Sequence, residues 1–180
     1  MQKTISRQNV ISQATYTAIF LAITVLLPQA CHLIGGVALS SQISPMHLPV
    51  YLCAILLGPV SAMAVGLLAP ILSGVIFGMP LFPAPMLPMC LELMTYGAVF
   101  GLLCSKTKTI GIKRVIFCIL SLIVAMTAGR VMLLLTNLIL IDGYTISTLV
   151  SNAILNQYVG ILSQILIVPL VSYMVYKLKK

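Results

Sequence analysis

The strongest constraint on this chain is a long stretch without a charged side chain. From Gln8 to Leu91, a run of 84 residues, the sequence contains no Asp, Glu, Lys or Arg. A soluble domain needs polar surface around its core, and a charge-free run of this length supplies too little of it. A transmembrane helix needs about 20 consecutive apolar residues, so the 180-residue chain has room for about six. We therefore predict a single all-α membrane domain over residues 1–180.

Glycine, proline and polar gaps divide the chain into six predicted helices. They cover approximately residues 10–33, 46–57, 59–77, 85–104, 115–141 and 149–176. The second helix is separated from the third at Gly58-Pro59, because proline clashes with the preceding helical turn and lacks an amide donor. The second helix is short, since its length covers only about 18 Å of a roughly 30 Å hydrocarbon core. The first is too long for the core of a secretory signal peptide, so we interpret it as a retained helix.

Three clusters of basic residues support six spans, because Lys and Arg are concentrated in cytoplasmic loops. The clusters lie at the N-terminus, after the fourth predicted helix and at the C-terminus: Lys3 and Arg7; Lys106, Lys108, Lys113 and Arg114; Lys177, Lys179 and Lys180. Six spans with both termini in the cytoplasm place every cluster inside. If the second and third helices were one span, the middle cluster would lie outside. The net charge of +8 is then explained by topology and anionic lipid, and no nucleic-acid partner is expected.

The sequence lacks the motifs of common enzyme classes. It has no GxxxxGK[ST] phosphate loop, no HExxH and no GxSxG. Its two histidines, His32 and His47, lie in separate segments, and its five cysteines form no CxxC pair, so we expect neither a metal nor a cofactor. We predict that the protein is not an enzyme. Its two halves do not repeat each other as those of many secondary transporters do, so any transport requires energy from a partner.

Two opposite charges lie inside predicted spans. Glu92 lies roughly 10 Å and Arg130 roughly 16 Å from the outer ends of their helices, so the two can pair. An ionisable side chain in the membrane interior is costly unless it is paired or hydrated, which makes each a candidate functional residue. The pair either only joins two helices or holds a pocket in which Arg130 donates to a ligand carboxylate. Further candidates for substrate binding in the outer half are Tyr96, Asn137, Asn152, Asn156 and His47.

Small residues form a column on the first predicted helix. Ala14, Ala18 and Ala22 are spaced by four residues and therefore share one helix face. In lipid, small side chains allow a second helix to approach closely and to pack by van der Waals contact. The column suits either packing within this bundle or binding of a separate protein.

The alanine column, the six-span layout and two segments resemble the substrate-binding S components of energy-coupling factor (ECF) transporters. The segments are MHLPVYLCAILLGPVSAMAVGLLAPILSGVIFGMP and LELMTYGAVFGLL, and the resemblance covers nearly the whole chain. It implies a multi-pass protein of the bacterial cell membrane that captures a vitamin-like micronutrient from outside. The partner would be a transmembrane coupling subunit that carries two cytoplasmic ATPases and contacts Ala14, Ala18 and Ala22.

The resemblance also implies where the solute binds. The pocket would lie in the outer half between the fourth, fifth and sixth predicted helices, closed by loops at residues 40–47, 78–85 and 142–147. Its polar contacts would include Glu92, Tyr96, Arg130 and Asn156. The segments are similar to the pantothenate type, and Arg130 suits a carboxylate, while a pyridoxine-like compound or a thiamine precursor remains an alternative. The alternative from another class is a non-transporting structural subunit in which the alanines and the ion pair only assemble a complex.

Overall fold

The computed structural model describes residues 7–106, 111–141, 143–149, 151 and 156–178. Within these ranges the chain forms helices and no strands: α1 (Arg7–Ile43), α2 (His47–Leu56), α3 (Pro59–Phe77), α4 (Met86–Lys106), α5 (Ile112–Leu140), α6 (Ile146–Leu149) and α7 (Tyr158–Leu178). Five of them, α1, α3, α4, α5 and α7, are long and apolar enough to cross a membrane. The predicted all-α membrane fold is confirmed. The six-span count and the cytoplasmic termini stay predictions.

The first helix extends beyond its predicted end. α1 continues to Ile43, but Gly36 has φ 71° and ψ −176°, so two helices meet there at a kink. Glycine adopts this backbone conformation readily because it has no Cβ. The segment after Leu33, predicted as a loop, is therefore helical on both sides of Gly36. The last turn is closed by a hydrogen bond from the Ser44 amide to the Ser40 carbonyl, 3.0 Å.

The Gly58-Pro59 break separates α2 from α3, and the two helices run in opposite directions. The amide of His47, the first residue of α2, donates to the carbonyl of Ser44 just after α1 ends, 3.2 Å. The carbonyl of Leu57, just after α2, instead accepts from Nε2 of Gln13 near the start of α1, 3.3 Å. Gln13 Nε2 also lies 3.3 Å from Ser61 Oγ, in the first turn of α3. The chain therefore changes direction between α2 and α3 beside Gln13, near the start of α1. The ten residues of α2 that lead to this point extend only about 15 Å.

Glycines allow α3 and α4 to pack with their backbones close together. A Cβ at Gly66 would lie 2.5 Å from the carbonyl oxygen of Leu93, and one at Gly97 would lie 2.6 Å from the carbonyl carbon of Ala62. Such close approach is typical of helix interfaces in membranes, where small residues permit it. On its other side α4 packs against α5, and it also contacts α2. α4 is thus a central helix, which explains why its polar side chains can be buried.

Arg114 joins three helices at the end of the bundle where α1 begins and α7 ends. The prediction of Arg114 as a loop charge is wrong, because the residue lies in α5 and is only 1% exposed. Its Nε donates to Ser172 Oγ, 3.0 Å, and its Nη1 donates to the Cys104 carbonyl, 3.4 Å. Its guanidinium carbon lies 3.6 Å from the ring centroid of Tyr176. The adjacent Lys113 is exposed, so the two neighbouring cations have different environments.

The end of the chain differs from the predicted helix over residues 149–176. The short helix α6 ends at Leu149, residues 156 and 157 form a turn, and α7 begins only at Tyr158. Local hydrogen bonds favour these boundaries: Thr145 Oγ1 accepts from the Thr148 amide, 3.4 Å, and the Asn156 amide donates to the Ser151 carbonyl, 3.0 Å. α7 runs from this turn to the Arg114 contacts. Both described chain ends therefore lie at one end of the bundle, and we call the opposite end the distal end.

Candidate functional site

A cavity of about 390 Å³ lies at the distal end of the bundle. This volume is within the usual range for small-molecule sites. Its wall is formed by α1, the turn between α1 and α2, α3 and the loop that follows it, the starts of α2 and α4, the end of α5 and the turn before α7. Its polar side chains are Gln29, His32, Ser40, Ser41, Ser44, His47, Ser73, Glu92, Asn137 and Gln157. The cavity brings together polar groups that lie far apart in the sequence.

Glu92 is the carboxylate in this wall. It lies on α4 and is only 4% exposed. The Tyr96 hydroxyl, one turn further along α4, donates to its Oε1, 2.6 Å. Arg130 Nη1 on α5 lies 2.7 Å from the same oxygen. Glu92 and Arg130 thus form the ion pair that their predicted depths allow, and each neutralises the other in a region where an unpaired charge is costly.

Tyr96 is held in place by close packing. A Cβ at Gly129 on α5 would overlap the Tyr96 ring, so only glycine leaves room for it. Two further rings pack beside Tyr96: the centroid of His47 lies 5.3 Å away and that of Tyr51 lies 5.5 Å away. Aromatic pairs at these separations are favourable beyond their buried area. The hydroxyl that binds Glu92 is therefore presented by a rigid cluster beneath the cavity.

Arg130 lies on the side of Glu92 that faces away from the main cavity. Its Nη2 donates to Gln157 Oε1, 2.8 Å, in the turn before α7. Arg130 and Tyr96 line a second, smaller cavity of about 260 Å³, together with Thr127 and Gln164. Glu92 and Gln157 line the main cavity, and Arg130 does not. The guanidinium therefore ties α4, α5 and the start of α7 together behind the wall.

His47 reaches the site from the first turn of α2. Its Nδ1 lies 3.1 Å from the Ser44 carbonyl oxygen, and because a carbonyl only accepts, Nδ1 is the donor. Its Nε2 lies 3.9 Å from Glu92 Oε1, too far for a hydrogen bond. Within the described residues this buried nitrogen has no hydrogen-bond partner. His47 is consequently both a loop contact and a neighbour of the Glu92 carboxylate.

Of the remaining residues predicted to bind the solute, Asn137 lines the cavity and Asn156 does not. Asn137 is buried, Asn156 is exposed, and Asn152 lies outside the described residues. Burial raises the pKa of Tyr144, in the segment after α5, and its hydrogen bond with Asn137 partly offsets that rise. Gln157 was missed, although an amide at the start of an apolar helix is a signal that could have identified it.

The three alanines of the predicted docking column lie on the outside of the bundle. Ala14, Ala18 and Ala22 are all exposed along α1. They therefore leave a shallow strip of small side chains on the surface, and they are not used to pack α1 inside the described bundle. Close approach of another helix needs a strip of this kind.

Comparison with known proteins identifies a family. A family model described as the substrate-specific component of ECF transporters matches residues 12–178, nearly the entire chain. None of the curated proteins and none of the solved structures matches it.

Proposed function

Because this chain belongs to the substrate-specific components of ECF transporters, we propose that it captures a small micronutrient in the distal cavity for an ATP-driven importer. The observation that carries this proposal is the buried Glu92 carboxylate, which lines a cavity of about 390 Å³. A charge inside a membrane-spanning helix is expensive, and such residues usually mark a solute site or pathway. A bundle held together only by packing would need neither the charge nor the cavity.

In this proposal the distal cavity faces the outside of the cell and the described chain ends face the cytoplasm. This orientation agrees with the basic clusters in the sequence and with the positive-inside rule. The chain has no phosphate-binding loop, so the energy comes from the ATPases of the coupling subunit. The exposed column of Ala14, Ala18 and Ala22 is the proposed contact with that subunit.

The proposed solute belongs to the B-vitamin-like micronutrients. The sequence favoured pantothenate because Arg130 suits a carboxylate, but Arg130 lines only the smaller cavity, and that argument loses its support. Pyridoxine-like compounds and thiamine precursors are the alternatives that do not require a free guanidinium.

Identification of the small molecule that co-purifies with the protein tests the proposal most directly. A vitamin that binds the folded state should raise the melting temperature in detergent, since ligand at 100 times Kd stabilises by about 2.7 kcal/mol. Uptake should require both this chain and the coupling module. If no B vitamin raised the melting temperature, and Glu92→Gln changed assembly but not uptake, the structural-subunit alternative would replace this proposal.

A further inference from the structure

The wall of the main cavity carries a carboxylate and no permanently charged cation. Glu92 lines it, and none of the described lining residues is Lys or Arg. From this arrangement we infer that the solute is a neutral or cationic compound with an amino group, and that it donates an N–H hydrogen bond to Glu92. A solute whose binding group is a carboxylate is not expected. The inference rests on the proposed function, because it concerns the solute that this cavity would capture.

The nearest cation cannot serve a carboxylate in this cavity. Arg130 directs Nη1 to Glu92 Oε1, 2.7 Å, and Nη2 to Gln157 Oε1, 2.8 Å. Nη1 thus lies in ion-pair contact with Glu92, although it forms no hydrogen bond within the described residues, and Nη2 is hydrogen-bonded to Gln157. Arg130 is not among the residues that line the main cavity. A carboxylate placed in the main cavity would meet Glu92 before it met Arg130, and like charges at short range repel each other.

The histidines do not change this balance of charge. His47 donates through Nδ1 to the Ser44 carbonyl, and in the neutral tautomer with its hydrogen on Nδ1 the Nε2 atom is an acceptor, so neither ring nitrogen offers a donor to the solute. The other titratable side chain in the wall is His32 on α1, which is partly exposed. Glu92 is therefore the charged group that the buried part of the cavity presents.

One oxygen of Glu92 is available to a ligand. The Tyr96 hydroxyl and Arg130 both contact Oε1, and the described residues place no hydrogen bond on Oε2. A donor that reaches Oε2 forms a charge-assisted hydrogen bond, which is roughly twice as strong as a neutral one. An amino group or a protonated ring nitrogen supplies such a donor, whereas a carboxylate has none.

The apolar residues of the wall require that the solute also has an apolar part. Met46, Met79, Met89, Leu133 and several prolines supply apolar surface around the polar groups. Binding sites with mostly apolar walls and few convergent polar groups hold the apolar body of a ligand and fix its orientation through the polar ones. A small ring that carries an amino substituent meets both requirements.

Matched pairs of compounds test this inference on the purified wild-type protein. The pairs are nicotinamide with nicotinate, pantothenol with pantothenate, and 4-amino-5-hydroxymethyl-2-methylpyrimidine with its analogue lacking the amino group. Binding is measured by isothermal titration and by the shift in melting temperature. We expect the neutral member of each acid pair to bind more tightly, and the aminopyrimidine to bind at least about tenfold more tightly than its analogue.

A conservative variant connects the effect to one residue. Glu92→Gln keeps the size of the side chain and removes its charge, so affinity for the aminopyrimidine should fall by about tenfold or more. Thr95→Val is the matched control on the same helix, because the Thr95 hydroxyl donates to the Leu91 carbonyl of its own helix, 2.7 Å, and Thr95 does not line the main cavity. If Glu92→Gln does not fold, the relative affinities of the matched compounds for the wild-type protein test the inference without the variant.

The possible outcomes separate this inference from the proposed function. Tighter binding of the acids, or equal binding of the aminopyrimidine and its analogue, would overturn the inference while capture of a micronutrient still stands. Absence of binding by every vitamin and analogue would overturn the proposed function and the inference with it. Tighter binding of the neutral and amino-bearing members, lost in Glu92→Gln, supports both.

Discussion

At the residue scale, the ion pair between Glu92 and Arg130 determines whether α4 and α5 can remain together in the membrane. Removal of one partner leaves the other charge buried without compensation, which typically costs about 3–5 kcal/mol. Arg130→Ala should therefore unfold at much lower denaturant concentration than the wild type in mixed micelles. Neutralising both residues, as Glu92→Gln with Arg130→Gln, should recover most of that loss, because no charge is left unpaired.

Together with the wild type, the single variants Glu92→Gln and Arg130→Gln and the double variant that combines them form a thermodynamic cycle. A double variant as unstable as the sum of the single ones would mean that the two charges do not interact, contrary to the 2.7 Å contact. The double variant should still bind the aminopyrimidine at least about tenfold more weakly than the wild type, since it lacks the carboxylate in the cavity wall. Stability and binding are thus separable at this pair.

Arg114 gives a second prediction at the same scale. Arg114→Ala removes hydrogen bonds to Ser172 and to the Cys104 carbonyl, and the contact with the Tyr176 ring. Hydrogen bonds that involve a charged group contribute about 1.5–3 kcal/mol each, so the free energy of unfolding should fall by at least about 2 kcal/mol. Lys113→Ala is the matched control, because that neighbouring side chain is exposed. Equal melting temperatures for the two variants would contradict the structural role of Arg114.

These residues show how far sequence reasoning extends at this scale. The pairing of Glu92 with Arg130 follows from their depths in two apolar helices, since a span without other charges leaves few partners. The burial of Arg114 does not follow in the same way, because it is adjacent to Lys113 and only the rotation of α5 distinguishes them. The direction in which Arg130 faces also depends on tertiary packing, so the depths of the two charges could not show which cavity it lines.

At the element scale, the contact between α3 and α4 places Glu92 in the centre of the bundle. Gly97→Ala would put a methyl group 2.6 Å from the backbone of Ala62 and force the two helices apart. Overpacking of this kind costs about 1–3 kcal/mol, so we expect a lower melting temperature and weaker solute binding. Leu102→Ala, at a half-exposed position on the same helix, should change neither. A Gly97→Ala protein with wild-type stability and binding would show that the close contact is unimportant.

The ends of the helices could be predicted only where a local residue, such as a proline, restricts the backbone. Gly58-Pro59 separates α2 from α3 in the structure as the steric rules for proline require. The kink at Gly36 and the late start of α7 at Tyr158 depend on contacts between distant segments. Gly160, for example, lets α7 approach the carbonyl of Ile43 at the end of α1. Local apolarity cannot reveal such contacts.

At the scale of the whole molecule, the scarcity of charged residues determines the class of fold. The shape of the surface must then determine which proteins bind to it. The described surface carries many large apolar side chains, as a protein surrounded by lipid should. The strip formed by Ala14, Ala18 and Ala22 differs from it by the small size of its side chains. Because lipid chains and leucine are equally apolar, shape rather than hydrophobicity must distinguish a protein-binding surface here.

Substitution of Ala18 by Trp tests that distinction. The large ring should prevent close approach of a coupling helix, so uptake and co-purification with the coupling module should be lost. Solute binding by the isolated protein should remain at the wild-type level, since Ala18 is exposed and absent from the wall of the cavity. The matched control is Leu166→Trp on α7, where the side chain is 73% exposed and the same ring should be accepted by lipid. Uptake that survives Ala18→Trp would show that the coupling subunit binds elsewhere.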